Sequence, residues 1–368
     1  MSVHRLPSAD PIAAEPWREA TPPERILAVR LHALGDTVIT LPYLSALRRA
    51  CPGAELDFLT RDEVAEIPRS LALFDHVLAF GGGRDPRRQL LHALALVPRL
   101  RARRYDVVLD LQRSRVSRLV RRLIRPRAWS EFDRFSPQLA GERTRLTIEA
   151  AGLGPLEVEA DLMLRDAGAG ERTLRAHGWD GTAELVVLNP AGTFPGRQWP
   201  SAAYTRFAEL WTESRARPTQ FAVLGLPPLA GRTRELSSRL GPQLLDLVGR
   251  TTAAEAFAIV QRATLVLSED SGLLHMAWAA GAPTLALFGA SRAAWARPHG
   301  AHADLVQACR MSDGACLDGA CLGEGPPCLS RVSPEDVVAR AHALLERTRA
   351  APRTIYADGV AYAPPLAG

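Results

Sequence analysis

Short apolar runs alternate with helix-length amphipathic segments along nearly the whole chain, and they do so in two series. In the first, runs at 26–31, 56–59, 76–79 and 107–111 predict strands, with helices ending at 47 and spanning 88–103. In the second, 185–188, 221–224, 244–247, 264–267 and 284–288 predict strands, and 202–215, 253–262, 271–280 and 332–347 predict helices. A repeated strand–helix order leaves little choice of architecture. Parallel strands need crossovers, and the crossover helices then cover both faces of the sheet. Two such series in 368 residues predict an α/β protein of two Rossmann-like, doubly wound domains facing a central cleft that takes the ligand. The domains are expected at 24–165 and 171–349, with linker-like stretches at 152–159 and 166–170. Residues 1–23 and 350–368, rich in Pro and Ala, read as disordered tails.

Composition narrows the setting. With 47% hydrophobic and 23% charged residues the chain reads as soluble and globular. No apolar run approaches the roughly 20 residues that span a bilayer. Residues 1–23 hold no apolar signal core, so a cytoplasmic protein is expected. The net charge of +5 hides an asymmetry: eleven arginines between Arg99 and Arg127 face only Asp106 and Asp110. Such a block suits nucleic acid, an anionic membrane surface or a phosphorylated substrate, and it also suits a solvated surface. No lysine occurs anywhere, so every Lys/Arg position is arginine. The block lacks the interleaved aromatics of a single-strand nucleic-acid platform, which leaves that partner the least expected.

Three segments carry the chemistry. From 264 to 275 an apolar run passes through Ser268 and Glu269 into Asp270, Ser271 and Gly272, then into a helical pattern. A strand entering a helix through small polar residues points backbone N–H groups and the positive end of a helix dipole at one spot, which suits phosphate. His275, one turn beyond Ser271, can face that spot, and Asp270 is equally a good N-cap for an ordinary helix. The first strand ends in Gly35 and Asp36, where a carboxylate acts either as a general base for a hydroxyl or as a helix cap. The loop 189–200, with Thr193 and Arg197, offers a second anion contact, and its Trp199 needs something to pack on. Neither loop is a P-loop, since no Gly-Lys-Ser/Thr occurs.

Taken together, 25–42, 105–112, 189–200 and 247–289 resemble glycosyltransferase family 9, the bacterial heptosyltransferases of lipopolysaccharide synthesis, over a span of 24–345. The resemblance implies a GT-B fold, an inverting mechanism and no cofactor required for catalysis. It implies an N-terminal acceptor domain and a C-terminal nucleotide-sugar domain. Asp36 matches the carboxylate that deprotonates the acceptor hydroxyl. Thr193 and Arg197 match donor-diphosphate positions, many relatives having lysine at the latter, and Asp270, Ser271, Gly272, Leu273 and His275 match the second phosphate segment. Arg61, Gln112, Arg113 and Arg115 are expected on the acceptor, the basic pair suiting a phosphorylated or acidic sugar. Two departures touch the donor side: 225–230 has no carboxylate where relatives bind ribose, and Ala290, Ser291 and Arg292 replace a common Pro-Thr-Asp.

The expected activity is transfer of a heptose-like sugar from a nucleotide diphosphate donor to a lipopolysaccharide core or related surface glycan. The arginines would hold a phosphorylated glycolipid acceptor and contact the anionic inner face of the cytoplasmic membrane. A protein O-glycosyltransferase, a sugar-nucleotide epimerase and a non-catalytic nucleotide- or glycan-binding protein remain as alternatives. Cys309, Cys316, Cys321 and Cys328 stand with six, four and six residues between them, unlike a Cys-x-x-Cys knuckle. A structural zinc or iron, reduced thiols and disulfides are all open readings of that loop. Cys51 reads as a buried packing residue.

Overall fold

A computed structural model describes residues 12–83, 85–290, 293–308, 316–317, 320–321, 328–351 and 353–356. The chain divides into two compact units, Met1–Arg69 with Leu73–Leu156, and Ser70–Ala72 with Glu157–Gly368.

In unit 1 the order is β1 (Ala14–Glu15), β2 (Arg25–Val29), α1 (Leu34–Ala50), β3 (Glu55–Arg61), α2 (Glu66–Ser70), β4 (His76–Phe80), α3 (Pro86–Ala102), β5 (Val107–Asp110), α4 (Arg115–Ile124), β6 (Ala128–Glu131) and α5 (Ala140–Ala150). The sheet runs β1-β6-β5-β2-β3-β4. All pairs are parallel except β1 on β6. Ile26 of β2 stands opposite Leu56 on one side and Val107 on the other. Apart from Arg25 the strand is buried, as expected of one covered on both faces. Strand order reverses between β2 and β5, so their carboxyl ends open the crevice where doubly wound sheets take ligands. Two helices start on side-chain caps: Asp85 accepts from Arg87 N at 2.9 Å before Pro86, and Ser114 accepts from Ser117 N at 3.1 Å.

Unit 2 continues with β7 (Val158–Glu159), α6 (Ala169–Ala176), β8 (Glu184–Asn189), α7 (Ser201–Ser214), β9 (Thr219–Val223), α8 (Ala230–Leu240), β10 (Leu244–Asp246), α9 (Ala253–Arg262), β11 (Leu265–Glu269) and α10 (Gly272–Ala279). It closes with β12 (Thr284–Phe288), α11 (Ala293–Ala296), β13 (Ala303–Gln307), β14 (Cys316–Leu317), β15 (Ala320–Cys321), α12 (Pro334–Ala350) and β16 (Thr354–Tyr356). Its main sheet is parallel throughout, in the order β10-β9-β8-β11-β12-β13. Here the reversal lies between β8 and β11. Trp199 is fully buried in the core of this unit, edge-on to Tyr204 at 4.9 Å, and its Nε1–H donates to Val332 O at 3.0 Å.

Three expectations need correction. The segment before 24 is not all loose: β1 pairs with β6, and Trp17 N donates to Ala151 O at 2.8 Å. Likewise β16 pairs with β7 and buries Ile355, so backbone pairing extends beyond residue 350. The stretch 166–170 is not a linker, because α6 begins at Ala169 and Gly170 lies against the Ala258 backbone, where a Cβ would clash at 2.6 Å. The handover between units falls at Leu156 and Glu157 instead.

Candidate functional site

The carboxyl end of β2 leads into Arg30, a buried guanidinium with matched partners. Its Nη2 meets Asp36 Oδ2 at 2.9 Å, its Nη1 donates to Leu111 O, and it lies 5.0 Å from the Phe132 ring centre. Burial pulls the Arg30 pKa below the usual arginine value, with Asp36 the main opposing group. Asp36 sits in the first turn of α1, and the same Oδ2 accepts from Ala33 N at 3.4 Å. Oδ1 has no partner among the described residues, and the side chain is 49% exposed. Capping and proton acceptance can therefore fall on different oxygens of one carboxylate.

The expected acceptor residues take up distinct positions around this turn. Gln112 Oε1 accepts from the backbone N–H groups of Leu31 at 2.9 Å and His32 at 3.0 Å. Arg61 Nη1 meets His32 Nδ1 at 3.0 Å, while its Nη2 donates to Glu63 at 2.6 Å and to Gly83 O. Arg113 has φ +51 and pairs with Asp133 at 3.4 Å and Glu131 at 3.7 Å. Arg115, the first residue of α4, is exposed and unpaired among the described residues. Buried Arg143 lies 5.1 Å from the Phe132 ring that Arg30 also approaches.

Much of the arginine block is consumed internally. Arg118 grips Glu131 at 2.8 and 3.0 Å, and Arg121 pairs with the same carboxylate while stacking on Trp129 at 3.6 Å. Burial alone would raise the Glu131 pKa, but these two guanidinia hold it below the usual range. Arg99, Arg101, Arg104, Arg115, Arg122 and Arg125 stay exposed, with no ion pair among the described residues.

In unit 2 the crevice is built on Asn189 at the end of β8 and Glu269 at the end of β11. Asn189 Oδ1 accepts from Ser271 Oγ at 2.7 Å and Ser268 Oγ at 3.0 Å, and its Nδ2 donates to Leu224 O at 2.9 Å. The N-cap of α10 is Ser271, which accepts from Leu274 N at 3.3 Å. Asp270, expected as that cap, instead meets Arg197 Nη1 at 3.4 Å. Arg197 also donates to Ala290 O at 3.3 Å, so the loop 190–200 is drawn against the β11–α10 turn. Thr193 is exposed on that loop, Gly272 opens onto free space, and Leu273 and His275 are buried within α10.

Sequence reasoning missed the brace beneath. Glu269 is fully buried, accepts from Gly192 N and Trp199 N at 2.6 Å each, and is clasped by Arg232 at 2.9 and 3.1 Å. Arg232, from α8, also donates to Pro190 O at 2.5 Å and Trp199 O at 2.6 Å. A lone acid ending an otherwise apolar strand was the visible signal, since buried charge needs a partner.

Among the described residues one acid and histidine group has metal-like spacing: Glu55, Asp57 and His76. Arg103 already supplies the cation, meeting Glu55 and Asp57 at 2.6 Å each, and Tyr105 donates to Asp57 at 2.6 Å. The cluster lies at the amino ends of β3 and β4, the sheet edge away from Asp36. Of the cysteines, Cys309 lies outside the described residues. Cys316 and Cys321 are register partners of β14 and β15, and Cys328 and Cys51 are buried.

Residues 143–324 match the family model described as Glycosyltransferase family 9 (heptosyltransferase). Lipopolysaccharide heptosyltransferase 1 of Pseudomonas aeruginosa is 26% identical over 361 residues, covering 87% of this chain and 98% of its own. The solved family 9 glycosyl transferase from Veillonella parvula superposes with a TM-score of 0.72 at 19% identity, covering 88% of this chain and 97% of its own. ADP-heptose lps heptosyltransferase II from E. coli gives 0.66 at 19% identity, covering 88% and 99%. These superpositions show the GT-B fold, two Rossmann-like domains in one chain.

Proposed function

The chain belongs to glycosyltransferase family 9, and from that premise we propose that it transfers a heptose from a nucleoside diphosphate donor to a lipopolysaccharide core sugar. The observation that carries the reading is Arg197 joining the N-terminus of α10 at the switch point between β8 and β11. A diphosphate leaving group gains negative charge as the sugar departs. A guanidinium, a helix dipole and oriented N–H groups meet that charge without a catalytic cofactor.

In this reading Asp36 Oδ1 takes the proton of the acceptor hydroxyl. The acceptor oxygen then bonds to the anomeric carbon, and the bond from that carbon to the diphosphate oxygen breaks, inverting the centre. Thr193, Arg197 and Ser271 are the donor-phosphate contacts, with Asp270 aiming Arg197. Arg30 holds the other Asp36 oxygen so that Oδ1 faces the substrate. The donor of the E. coli relative, ADP-heptose, is the first candidate. The loop 225–230 after β9 lacks a carboxylate and carries exposed Leu226, so apolar contact replaces a charged grip on the nucleoside.

We place the enzyme in the cytoplasm, against anionic lipid. The six unpaired arginines on and around α3 and α4, with exposed Leu91 and Leu119, support that contact. The test is transfer from ADP-heptose to a heptose-free core acceptor, read by ADP release and product mass. The wild type should turn over, and Asp36→Asn should lose roughly a hundred- to ten-thousandfold in kcat. Full activity in Asp36→Asn would sink the mechanism, and no transfer from any nucleotide-heptose would sink the reading itself.

A further inference from the structure

Two side chains that the sequence pointed toward the substrate converge on His32. Gln112 holds the His32 backbone through its N–H at 3.0 Å, and Arg61 reaches the ring at Nδ1, also at 3.0 Å. Arginine has five N–H donors and no acceptor, so Nδ1 must offer its lone pair, and the ring hydrogen sits on Nε2. Arg61 is itself buried and tied to Glu63 and Gly83 O, so it cannot readily swing away. Nε2 has no hydrogen-bond partner among the described residues, and the ring is only partly buried.

The charges around the ring agree. Burial first, then Arg61 from β3 and Arg30 after β2, push the imidazole pKa below its ordinary value, against smaller pulls from Glu63 and Asp36. A neutral ring also suits its place in the turn that carries Asp36. A neutral N–H hydrogen-bonds a substrate oxygen without adding a second cation to the turn that already carries the Arg30–Asp36 pair.

We propose that His32 is an acceptor-contacting residue that presents a neutral Nε2–H to a sugar hydroxyl oxygen, with Arg61 and Gln112 as its positioning residues. The proposal rests on the reading of Asp36 as the base and adds the group that selects the acceptor beside it.

Its direct test needs no substrate: nitrogen NMR of the full chain with labelled histidine, assigned through His32→Gln. At pH 7 the His32 ring should show a protonated Nε2 and a bare Nδ1. The opposite tautomer, or an imidazolium, overturns the proposal. In the transfer assay His32→Phe should raise the acceptor KM roughly three- to tenfold, the worth of one neutral hydrogen bond, and leave the donor KM alone. His32→Gln, which keeps an N–H donor, should recover most of the loss. Arg61→Met removes one of the charges that keep the ring neutral, so on acidification its acceptor KM should begin to change at a higher pH than the wild type's, and Arg61→Met/His32→Gln should abolish that dependence. An unchanged acceptor KM in His32→Phe overturns the proposal while wild-type transfer stands. If the wild type transfers nothing, the functional reading fails, and the nitrogen spectrum still decides the tautomer.

Discussion

His302 ties the donor-site helix to pH. The ring is fully buried, and its Nε2 lies 2.9 Å from Trp278 O in the last turn of α10. A carbonyl only accepts, so the hydrogen is on Nε2. Nδ1 then holds a lone pair in a dry place, without a partner among the described residues. Burial chiefly, with Arg353 in the same direction, lowers the pKa from 6.5 to about 4. Between those values the unfolded chain binds a proton that the native chain does not. Stability is therefore fully present above pH 6.5 and declines as pH falls toward 4. The gap is worth roughly 3 kcal/mol at the acid end. His302→Gln keeps an N–H for Trp278 O and removes the titration. Guanidinium denaturation at pH 7.5, 6, 5 and 4.5, with hydrogen exchange over 265–305, should show the wild type losing more stability than the variant on acidification. The carboxylates common to both cancel in that difference. Equal pH slopes in the two proteins would refute the reasoning.

Other outcomes follow from the same geometry. Arg232→Met leaves Glu269 buried with neutral hydrogen-bond donors and no counter-charge, and should cost about 3–5 kcal/mol by thermal denaturation; adding Glu269→Gln should return part of it. A thermal-shift series with ADP, GDP, UDP and dTDP should single out one nucleotide for the wild type and none for Arg197→Ala. Stabilisation of that variant equal to wild type would remove Arg197 from the diphosphate. Dialysis against EDTA should leave the transfer rate unchanged, and a loss restored by one metal would overturn catalysis by protein groups alone.

Parallel strands such as β2, β8 and β12 were legible because a strand buried on both faces is a continuous apolar run, whereas β6 and β13, also parallel but with polar residues among few positions, were not. Helix α4 was not, since its arginines mask the spacing of Val116, Val120 and Ile124, which alone marks a helical face. The turn chemistry at Asp36 and Ser271 is local and could be read as motif. The brace under the donor loop could not. Glu269 and Arg232 are 37 residues apart, and only the packing of α8 against the crevice unites them. Gln112 has a structural task that the sequence did not show. Its oxygen satisfies the two backbone amides that the turn at Leu31 and His32 leaves open, a partnership between residues some 80 positions apart. Arg61, likewise, grips its neighbours before any substrate arrives.

The guanidinia of α4, stacked on and paired with β6, have one more implication. A guanidinium stays protonated at any pH at which the fold survives, and a chain without lysine offers no side-chain amine to acetylate. The positive face around Arg99, Arg101, Arg122 and Arg125 is thus a constant, closed to the commonest covalent means of silencing a basic surface. If attachment to a bilayer is graded, the grading must come from the lipid, through the density of anionic headgroups and the salt that screens them.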